Sequence, residues 1–397
     1  MKKKRIAILF EEDIYNQRGM FNAIRNRITY LNRIADFDID VYAMSVYEPW
    51  YIRKLRHTKK VKKVNQVVLD ETIYHVYWRP FTLTDYVLSV ILHKEALISR
   101  LFYRSMINKI KGYDVISSHS YEGGALAMKI AKRDQIPFYV TWHGSDIHTN
   151  PFRNQSVFKI TKEIIENATC NFFVSKYLLD KASEITNKMR KSVLYNGVSS
   201  EFVRYSDQKR SELRREFAGK DSVKIVAFAG NLIEVKNPQL LPPIFSSIIK
   251  KYKGEILFWV IGSGKLLNPI SKLCETMKLP VVFWGGQPPE RMPLFFNSID
   301  VLVLPSRNEG LGLVTMEALS CGANVVGANV GGISEVVGKE NVFNHGPRFV
   351  DDISNRIVYM LTNGAPQILL ETFDWTKTAQ IEKSFYNESL SMPIEER

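Results

Sequence analysis

Two carboxylates and three glycines share one short segment, Pro305–Gly322, which reads Pro-Ser-Arg-Asn-Glu-Gly-Leu-Gly-Leu-Val-Thr-Met-Glu-Ala-Leu-Ser-Cys-Gly. The apolar run before it predicts a buried strand, and the residues from about Leu313 onward predict a helix. Gly310 and Gly312 would let a ligand approach the backbone closely. The free N–H groups at a helix start suit a diphosphate. The segment therefore has the composition of an anion-binding turn.

The two carboxylates would lie at different depths in this turn. Glu309 is predicted to lie in the loop, and Glu317 one turn into the helix. Two acids so placed could bind hydroxyl groups on two parts of one ligand. An ordinary strand–loop–helix connection with capping acids would carry the same residues, so the spacing alone leaves both interpretations open.

Further polar residues follow other predicted strands. Lys236 comes after the apolar run Lys224–Ala229, where a cation could neutralise a diphosphate, although a single lysine there is more often on the surface. His143 follows Phe138–Trp142, at the strand end where open α/β sheets place ligand-binding groups. A single histidine at such a position is usually structural.

The glycines of Val260–Leu266 fit neither common nucleotide motif. Leu266 follows Lys265 where a Walker loop needs Ser or Thr, and Leu267 stands where a dinucleotide fingerprint needs its third glycine. The turn is therefore not evidence for ATP or for a dinucleotide.

Short apolar runs alternate with helical segments twice along the chain, which predicts two parallel α/β sheets covered on both faces. Between residues 196 and 222 the sequence becomes polar and charged, which predicts a domain boundary. We expect an acceptor-binding Rossmann-like domain at residues 1–200 and a donor-binding one at 221–370, facing each other across a ligand cleft. A last helix within 375–397 could complete the first domain.

The net charge of the 397 residues is +13, and all of the excess lies in residues 1–200, with 32 Lys and Arg against 19 Asp and Glu. The densest part is Arg53–Lys63, with seven basic residues directly after Pro49-Trp50-Tyr51. Basic residues beside aromatic ones suit an anionic membrane surface. A solvated basic loop is the equally open alternative.

Other features limit the class of protein. No apolar stretch is long enough to span a bilayer, and the apolar run after the basic N-terminus is too short for a signal peptide. Three distant cysteines fit a reducing cytoplasm. The Asp-x-Asp triplets of Asp36–Asp40 could suggest a metal site, but no other ligands lie nearby in the sequence, so no metal is expected.

The Pro305–Gly322 segment, with Gly331-Gly332-Ile333-Ser334-Glu335 after it, resembles the signature of family-4 retaining glycosyltransferases with the two-domain GT-B fold. Leu311 replaces the usual Phe of that signature. The resemblance implies that Glu309 faces the donor sugar and that Glu317 holds the nucleotide ribose. It also implies a nucleoside-diphosphate sugar as co-substrate and no cofactor.

Weaker matches extend the resemblance over nearly the whole chain. They imply that Lys236 binds the donor diphosphate. Asn231 stands where the family usually has Arg. Either Asn231 forms an uncharged hydrogen bond to the phosphate, or Arg307 supplies the missing cation. They also imply that His143, oriented by Asp146, contacts the sugar or the acceptor. Gly19 is a weaker phosphate or acceptor contact. The predicted catalytic residues are His143, Lys236 and Glu309, and the predicted donor contacts are Asn231, Gly262, Gly264, Gly310, Leu311, Gly312, Leu313 and Glu317.

The sequence thus predicts a metal-independent retaining glycosyltransferase in cell-surface polysaccharide biosynthesis. Its acceptor would be a saccharide, lipid-linked if the basic first domain faces the inner surface of the plasma membrane. A sugar-nucleotide 2-epimerase on the same fold is the main alternative. A basic nucleic-acid binder is the second alternative, but no recognition motif accompanies the charge, so no nucleic-acid partner is expected.

Overall fold

The computed structural model describes residues 3–12, 14, 19–34, 36–58, 60–92, 105–364 and 366–392. The chain divides into two compact units: unit 1 comprises residues 1–196 and 375–397, and unit 2 comprises residues 197–374. Each unit has its own sheet flanked by helices. Two Rossmann-like α/β domains, the predicted fold class, are therefore confirmed.

Unit 1 contains an eight-stranded sheet in the order β3-β4-β2-β1-β5-β6-β7-β8. All its pairings are parallel except the hairpin between β3 and β4. The strands are β1 Lys4–Glu11, β2 Phe37–Tyr47, β3 Gln66–Leu69, β4 Thr72–Pro80, β5 Val115–His119, β6 Phe138–Trp142, β7 Cys170–Phe173 and β8 Lys191–Val193. Every residue of β5, β6 and β7 is buried, as expected for strands covered on both faces.

The longer helices of unit 1 are α1 Gly19–Ile34, α2 Trp50–Arg56, α3 Ser120–Asp134, α4 Gln155–Asn167, α5 Lys176–Ser183 and, from the end of the chain, α13 Trp375–Ser391. Short helical turns lie at Leu83–Asp85, Tyr86–Ile91, Ser145–His148 and Asn150–Arg153. Helix α13 packs on α1, where Arg27 Nε donates to Glu382 Oε2 at 2.6 Å with both side chains buried.

Unit 2 contains a six-stranded parallel sheet in the order β11-β10-β9-β12-β13-β14. Its strands are β9 Lys224–Ala229, β10 Ile256–Ile261, β11 Val281–Gly285, β12 Val301–Leu304, β13 Asn324–Ala328 and β14 Val342–Phe343. Its longer helices are α6 Asp207–Ala218, α7 Leu241–Lys251, α8 Leu267–Thr276, α9 Met292–Ser298, α10 Leu313–Ser320, α11 Ile333–Val337 and α12 Phe349–Asn363. Single 3₁₀ turns lie at Glu234–Lys236, Pro238–Leu240, Pro289–Arg291 and Lys339–Asn341.

Two sequence interpretations need correction. The basic stretch after Pro49 begins as a helix, α2, rather than as a loop. The polar stretch near residue 207 is also a helix, α6, which Ser206 caps at its start and Gly219 ends in a left-handed conformation. Only Leu213 of α6 is buried, so its sequence carries almost no apolar periodicity. The sequence also predicts a helix over residues 85–111, of which residues 93–104 lie outside the described part of the chain.

The Asp-x-Asp triplets lie at the start of β2 and are paired with basic residues. Asp36 lies 2.8 Å from Lys3 Nζ, and Asp40 accepts a hydrogen bond from Arg5 Nη2 at 2.8 Å. Within the described ranges, no three His, Cys, Asp or Glu side chains are grouped as metal ligands would be. Across the same ranges, no helix is long and apolar enough to cross a membrane.

Candidate functional site

The strand order of unit 2 creates a switch point between β9 and β12. The chain continues from β9 to β10 on one side, whereas β12 lies on the other side and pairs with β9. The loops that follow these two strands therefore diverge, and such crevices bind ligands in open α/β sheets. Lys236 lies in the loop after β9 and Glu309 in the loop after β12, and both are predicted catalytic residues.

The structure places these two residues in contact. Lys236 Nζ donates to Glu309 Oε1 at 2.6 Å, and Glu309 is 8% exposed. The backbone N–H of Arg307 donates to the carbonyl of Val235 at 2.8 Å, which ties the two loops together. Ser306 Oγ donates to the same Glu309 oxygen at 2.9 Å. A cation and a carboxylate are thus held in fixed positions at the switch point.

The loop after β13 supports Glu309 from a third side. A Cβ on Gly331 would lie 1.9 Å from the Glu309 carbonyl oxygen, and Gly331 has a φ of 59°, so only glycine fits there. The N–H of Gly332 donates to the Gly310 carbonyl at 3.0 Å. From the segment after β14, His345 Nε2 lies 2.9 Å from the Ser306 carbonyl oxygen. Sequence reasoning missed the supporting roles of Ser306 and His345, because His345 lies 39 residues from Ser306.

Helix α10 begins beside this ion pair. Gly312 precedes it in a left-handed conformation, no side chain caps it, and its first turn contains no acidic residue. Leu311 is buried and Leu313 is the first helical residue. The uncapped N–H groups of such a turn can bind an anion. Gly310, Leu311, Gly312 and Leu313 thus lie together, where a diphosphate held by Lys236 could reach them.

Gly262 and Gly264 shape the neighbouring turn. A Cβ on Gly262 would lie 1.9 Å from the Gly230 carbonyl oxygen, and one on Gly264 would lie 2.4 Å from that of Leu232. The loops after β9 and β10 therefore pack backbone against backbone, with the half-buried Asn231 between these contacts. These glycines explain how Asn231 is positioned. Their direct contact with a donor stays a prediction.

Glu317 lies in the second turn of α10 and is partly buried. Burial, with a smaller contribution from Glu201, raises the pKa of the Glu317 carboxyl to about 7. No hydrogen-bond partner of this carboxyl occurs among the residues that the structure describes. A ligand hydroxyl that donates to the carboxylate would compensate its desolvation.

The raised pKa of Glu317 predicts a pH-dependent cost in stability. The unfolded carboxyl titrates near 4.5, so the folded state binds the proton more tightly and stability falls as the pH rises from about 4.5 to about 7. We expect Glu317→Gln to stabilise the unliganded protein at pH 8 by about 2–3 kcal/mol relative to its effect at pH 4. Calorimetric melting between pH 4 and pH 8 measures this, with the exposed Glu216→Gln as control. A pH-independent difference would contradict it.

In unit 1, His143 follows β6 and forms a pair with His119 at the end of β5. His143 Nε2 lies 2.9 Å from His119 Nδ1. Burial, together with the charge of Arg27, lowers the pKa of His143 to about 3. The imidazole is therefore neutral at physiological pH, and its Nδ1 is the nitrogen not occupied by His119.

Asp146 orients the turn rather than the imidazole ring. Its carboxylate accepts hydrogen bonds from the backbone N–H groups of His143, at 3.0 Å, and of Gly144, at 2.6 Å. Burial raises the pKa of Asp146 to about 6. Gly19, the remaining predicted contact, begins α1, and an added Cβ there would have no neighbour within 4 Å. Its preceding residues 15–18 lie outside the described part of the chain.

Sequence reasoning also missed three charged residues at the same edge of the unit 1 sheet. Glu11 ends β1, Arg79 lies near the end of β4, and Glu122 lies in the first turn of α3. The available signal was that Glu11 and Arg79 lie at the ends of predicted strands and that Glu122 comes three residues after β5 ends.

Two family models match the chain. The model for Glycosyltransferase Family 4 matches residues 19–202, and the model for Glycosyl transferases group 1 matches residues 209–372. The first match falls almost wholly in unit 1 and the second in unit 2.

Relatives of known assignment share about a quarter of their residues with this chain over the aligned part. N-acetyl-alpha-D-glucosaminyl L-malate synthase of Bacillus anthracis is 25% identical over 277 residues, which cover 68% of this chain and 70% of that protein. TuaC of Bacillus subtilis, assigned as a teichuronic acid biosynthesis glycosyltransferase, is 26% identical over 227 residues, which cover 57% of this chain and 56% of TuaC. The match thus spans little more than half of TuaC.

Among solved structures, HepE of Anabaena in complex with UDP and glucose has a TM-score of 0.65 to this chain. The sequences are 16% identical, and the alignment covers 95% of this chain and 94% of HepE. At this identity the similarity shows a common fold.

Proposed function

Because this chain belongs to glycosyltransferase family 4, we propose that it transfers a sugar with retention of anomeric configuration. The donor is a nucleoside-diphosphate sugar and the acceptor is a lipid-linked saccharide. The observation that carries the proposal is the Lys236–Glu309 ion pair at the β9/β12 switch point, beside the uncapped start of α10. Family and fold establish a glycosyltransferase; donor, acceptor and stereochemistry are the proposal.

The ion pair suggests how donor binding prepares the reaction. The donor diphosphate accepts hydrogen bonds from Lys236 Nζ and from the N–H groups at the start of α10. It thereby competes with Glu309 for the lysine. The carboxylate of Glu309, still held by Ser306 Oγ, is then available to hydroxyl groups of the donor sugar. Glu317 accepts hydrogen bonds from the ribose, and Asn231 donates to the diphosphate from the loop after β9, which also contains Lys236.

In the proposed step, the bond between the anomeric carbon and the diphosphate oxygen breaks, and its electron pair stays on that oxygen. Lys236 and the helix start stabilise the charge that develops there. The acceptor oxygen bonds to the same face of the sugar and gives its proton to the departing phosphate oxygen. His143 orients the sugar or the acceptor as a neutral imidazole. No metal or cofactor takes part in this proposal.

Thermal stabilisation tests the donor assignment. HepE was solved with UDP and glucose, which supports testing UDP-glucose first and other UDP and GDP sugars after it. A true donor at 100 times its Kd should stabilise the protein by about 2.7 kcal/mol. Incubation with the best donor alone separates the alternatives, because a 2-epimerase would isomerise the sugar without an acceptor. Failure of every sugar nucleotide to stabilise the protein would contradict the proposal.

The membrane assignment rests on an exposed basic and aromatic surface around α2. Trp50 is 71% exposed and Leu55 is 54% exposed, with Tyr51 beside them. Arg53, Lys54 and Arg56 lie on the same helix. Exposed aromatic side chains next to basic ones suit the headgroup region of an anionic bilayer. Of the relatives, TuaC is assigned to teichuronic acid biosynthesis, and the Bacillus anthracis protein is an N-acetyl-alpha-D-glucosaminyl L-malate synthase. The surface around α2 favours an acceptor held at a membrane.

Removing charge from this surface should release the protein from anionic vesicles. With Lys54, Lys60 and Lys62 replaced by Gln, we expect binding to vesicles of phosphatidylcholine and phosphatidylserine to weaken about 100-fold, at about 1 kcal/mol for each charge. Co-sedimentation at low salt measures it. Replacing the exposed Lys253, Lys272 and Lys278 of unit 2 in the same way keeps the change in net charge and should have little effect. Equal losses in the two variants would contradict a specific surface.

A further inference from the structure

His119 ends β5 and has no role in the proposed transfer, although it contacts a residue that does. Its side chain is 1% exposed, and its Nδ1 lies 2.9 Å from His143 Nε2. This contact is a hydrogen bond between two ring nitrogens, so one ring donates and the other accepts. Which ring donates determines what His143 offers to a ligand.

Two arrangements fit this hydrogen bond when both rings are neutral. If His143 donates from Nε2, its Nδ1 carries a lone pair and can accept a proton. If His119 donates from Nδ1, the proton of His143 is on its own Nδ1, which can then only donate. The first arrangement alone would let His143 Nδ1 act as the base for an acceptor hydroxyl.

Both rings are neutral in the folded protein. Burial, and then the interactions with His143 and Arg27, lower the pKa of His119 well below its usual value. Burial and the charge of Arg27 act on His143 in the same direction. A second proton on either ring would place another positive charge in a buried region near a guanidinium. The pair is therefore restricted to the two neutral arrangements.

The guanidinium of Arg27 lies on the same face of the unit 1 sheet as His119. His119 is in register with Thr141, and Thr141 with Phe172, so these three side chains point to one face. Arg27 Cζ lies 5.6 Å from the centre of the Phe172 ring. The arginine thus lies over the second strand from His119, at the same level of the sheet.

Arg27 presents unused donors on this face. Its side chain is 2% exposed, and its Nε donates to Glu382, whereas Nη1 and Nη2 make no hydrogen bond within the described residues. Its charge still acts on both imidazoles. A cation with unused N–H groups stabilises a lone pair on the free nitrogen of His119, Nε2, and disfavours an N–H there. With its lone pair on Nε2, His119 carries its proton on Nδ1.

We infer that His119 is a positioning residue, which donates from Nδ1 to His143 Nε2 and thereby keeps the proton of His143 on Nδ1. His143 then contacts the sugar or the acceptor as a hydrogen-bond donor to an oxygen atom. It takes no proton during the transfer, which leaves that proton to the departing phosphate oxygen. The inference rests on the proposed function, since it specifies how His143 acts in that transfer.

Nuclear magnetic resonance of the unliganded full chain identifies the two tautomers directly. The rings of its seven histidines are labelled with nitrogen-15, and His143→Gln and His119→Asn assign the two signals by their loss. Protonated and unprotonated ring nitrogens have well-separated chemical shifts. We expect Nδ1 to be the protonated nitrogen of both rings at neutral pH. A proton on Nε2 of His143, or a mixture of its tautomers, would overturn the inference from the wild type alone.

Variants separate this hydrogen bond from a purely structural role. His119→Leu keeps a buried side chain but has no donor, so we expect His143 to show both tautomers and kcat to fall about tenfold. His119→Asn places an amide N–H near the position of Nδ1 and should restore the Nδ1 tautomer and most of the rate. Thr141→Val is the matched control, because it removes a buried hydroxyl that has no hydrogen-bond partner within the described residues. It should change neither the tautomer nor the rate.

The outcomes distinguish this inference from the donor proposal, because the spectra are recorded without a ligand. An Nδ1 tautomer that persists in His119→Leu would show that His119 does not set it. If His119→Leu does not fold, loss of the Nδ1 tautomer in His119→Asn would contradict the inference in its place. Absence of UDP binding or of sugar transfer in the wild type would instead count against the proposed function, whatever the tautomers are.

Discussion

Replacing Lys236 with methionine should lower the rate of sugar transfer by a factor of about 10²–10³, the usual effect of removing one group that stabilises charge in the transition state. Lys236 Nζ lies at the switch point of unit 2, 2.6 Å from Glu309. Asn231 provides no charge where the family usually has Arg, so in the proposed donor complex Lys236 would neutralise more of the diphosphate's charge. Release of UDP from UDP-glucose, or from the donor that stabilises the protein most, measures the rate.

A neighbouring lysine provides the control. Lys265 is exposed in the loop after β10, and its Nζ lies 3.9 Å from Glu234 Oε1 in the loop after β9. Lys265→Met removes the same charge from the same side of unit 2 and should keep at least about half of the activity, as surface substitutions usually do. Because Lys236→Met also leaves a buried carboxylate without its cation, the double variant Lys236→Met/Glu309→Gln tests whether instability explains the loss. Wild-type rates in Lys236→Met would contradict the role of the lysine.

Replacing Glu309 with glutamine should separate catalysis from donor binding. Glutamine keeps the size of the side chain and can still accept the hydrogen bond from Ser306, but it lacks the negative charge that we propose to act on the donor sugar. We expect kcat to fall by about 10²–10³. UDP should bind a few-fold more tightly, because Lys236 no longer has an ion pair to break before it meets the diphosphate.

The two variants should change the affinity for UDP in opposite directions, which distinguishes the two roles. In Lys236→Met, rate and UDP affinity fall together; in Glu309→Gln, the rate falls while the affinity for UDP rises. The exposed Glu290→Gln is the control for loss of an acid in unit 2. Weaker UDP binding in Glu309→Gln would show that the carboxylate supports the nucleotide rather than competes with it. Unchanged kcat would remove it from the catalytic set.

Much of the fold was predictable because the strands are continuous apolar runs. The predicted strands 138–142 and 224–229 match β6 and β9 residue for residue. Helix α6 was not predicted because only one of its residues, Leu213, is buried, and α2 was not predicted because its basic residues resemble a loop. Local signals therefore succeeded where burial dictates the sequence, and failed where a helix lies on the surface.

The sites were predictable only in part. The Pro305–Gly322 segment identified Glu309, because a glycine-rich turn between a buried strand and a helix is a local pattern. Its contact with Lys236 joins residues 73 apart, and the hydrogen bond between Arg79 and Glu11 joins residues 68 apart. Such pairs depend on strand order, which a single sequence does not reveal. The sequence identifies the residues that follow buried strands, but it does not show which of them are in contact.

Calorimetric titration of UDP into the wild type, Lys236→Met and Lys265→Met tests the central claim, that the β9/β12 switch point of unit 2 binds the donor diphosphate. Loss of a charge-assisted contact of about 1.5–3 kcal/mol predicts that UDP binds Lys236→Met about 10- to 100-fold more weakly than the wild type. Lys265→Met should bind it like the wild type. Equal affinity of all three proteins for UDP would contradict the account, because the diphosphate would then be held elsewhere.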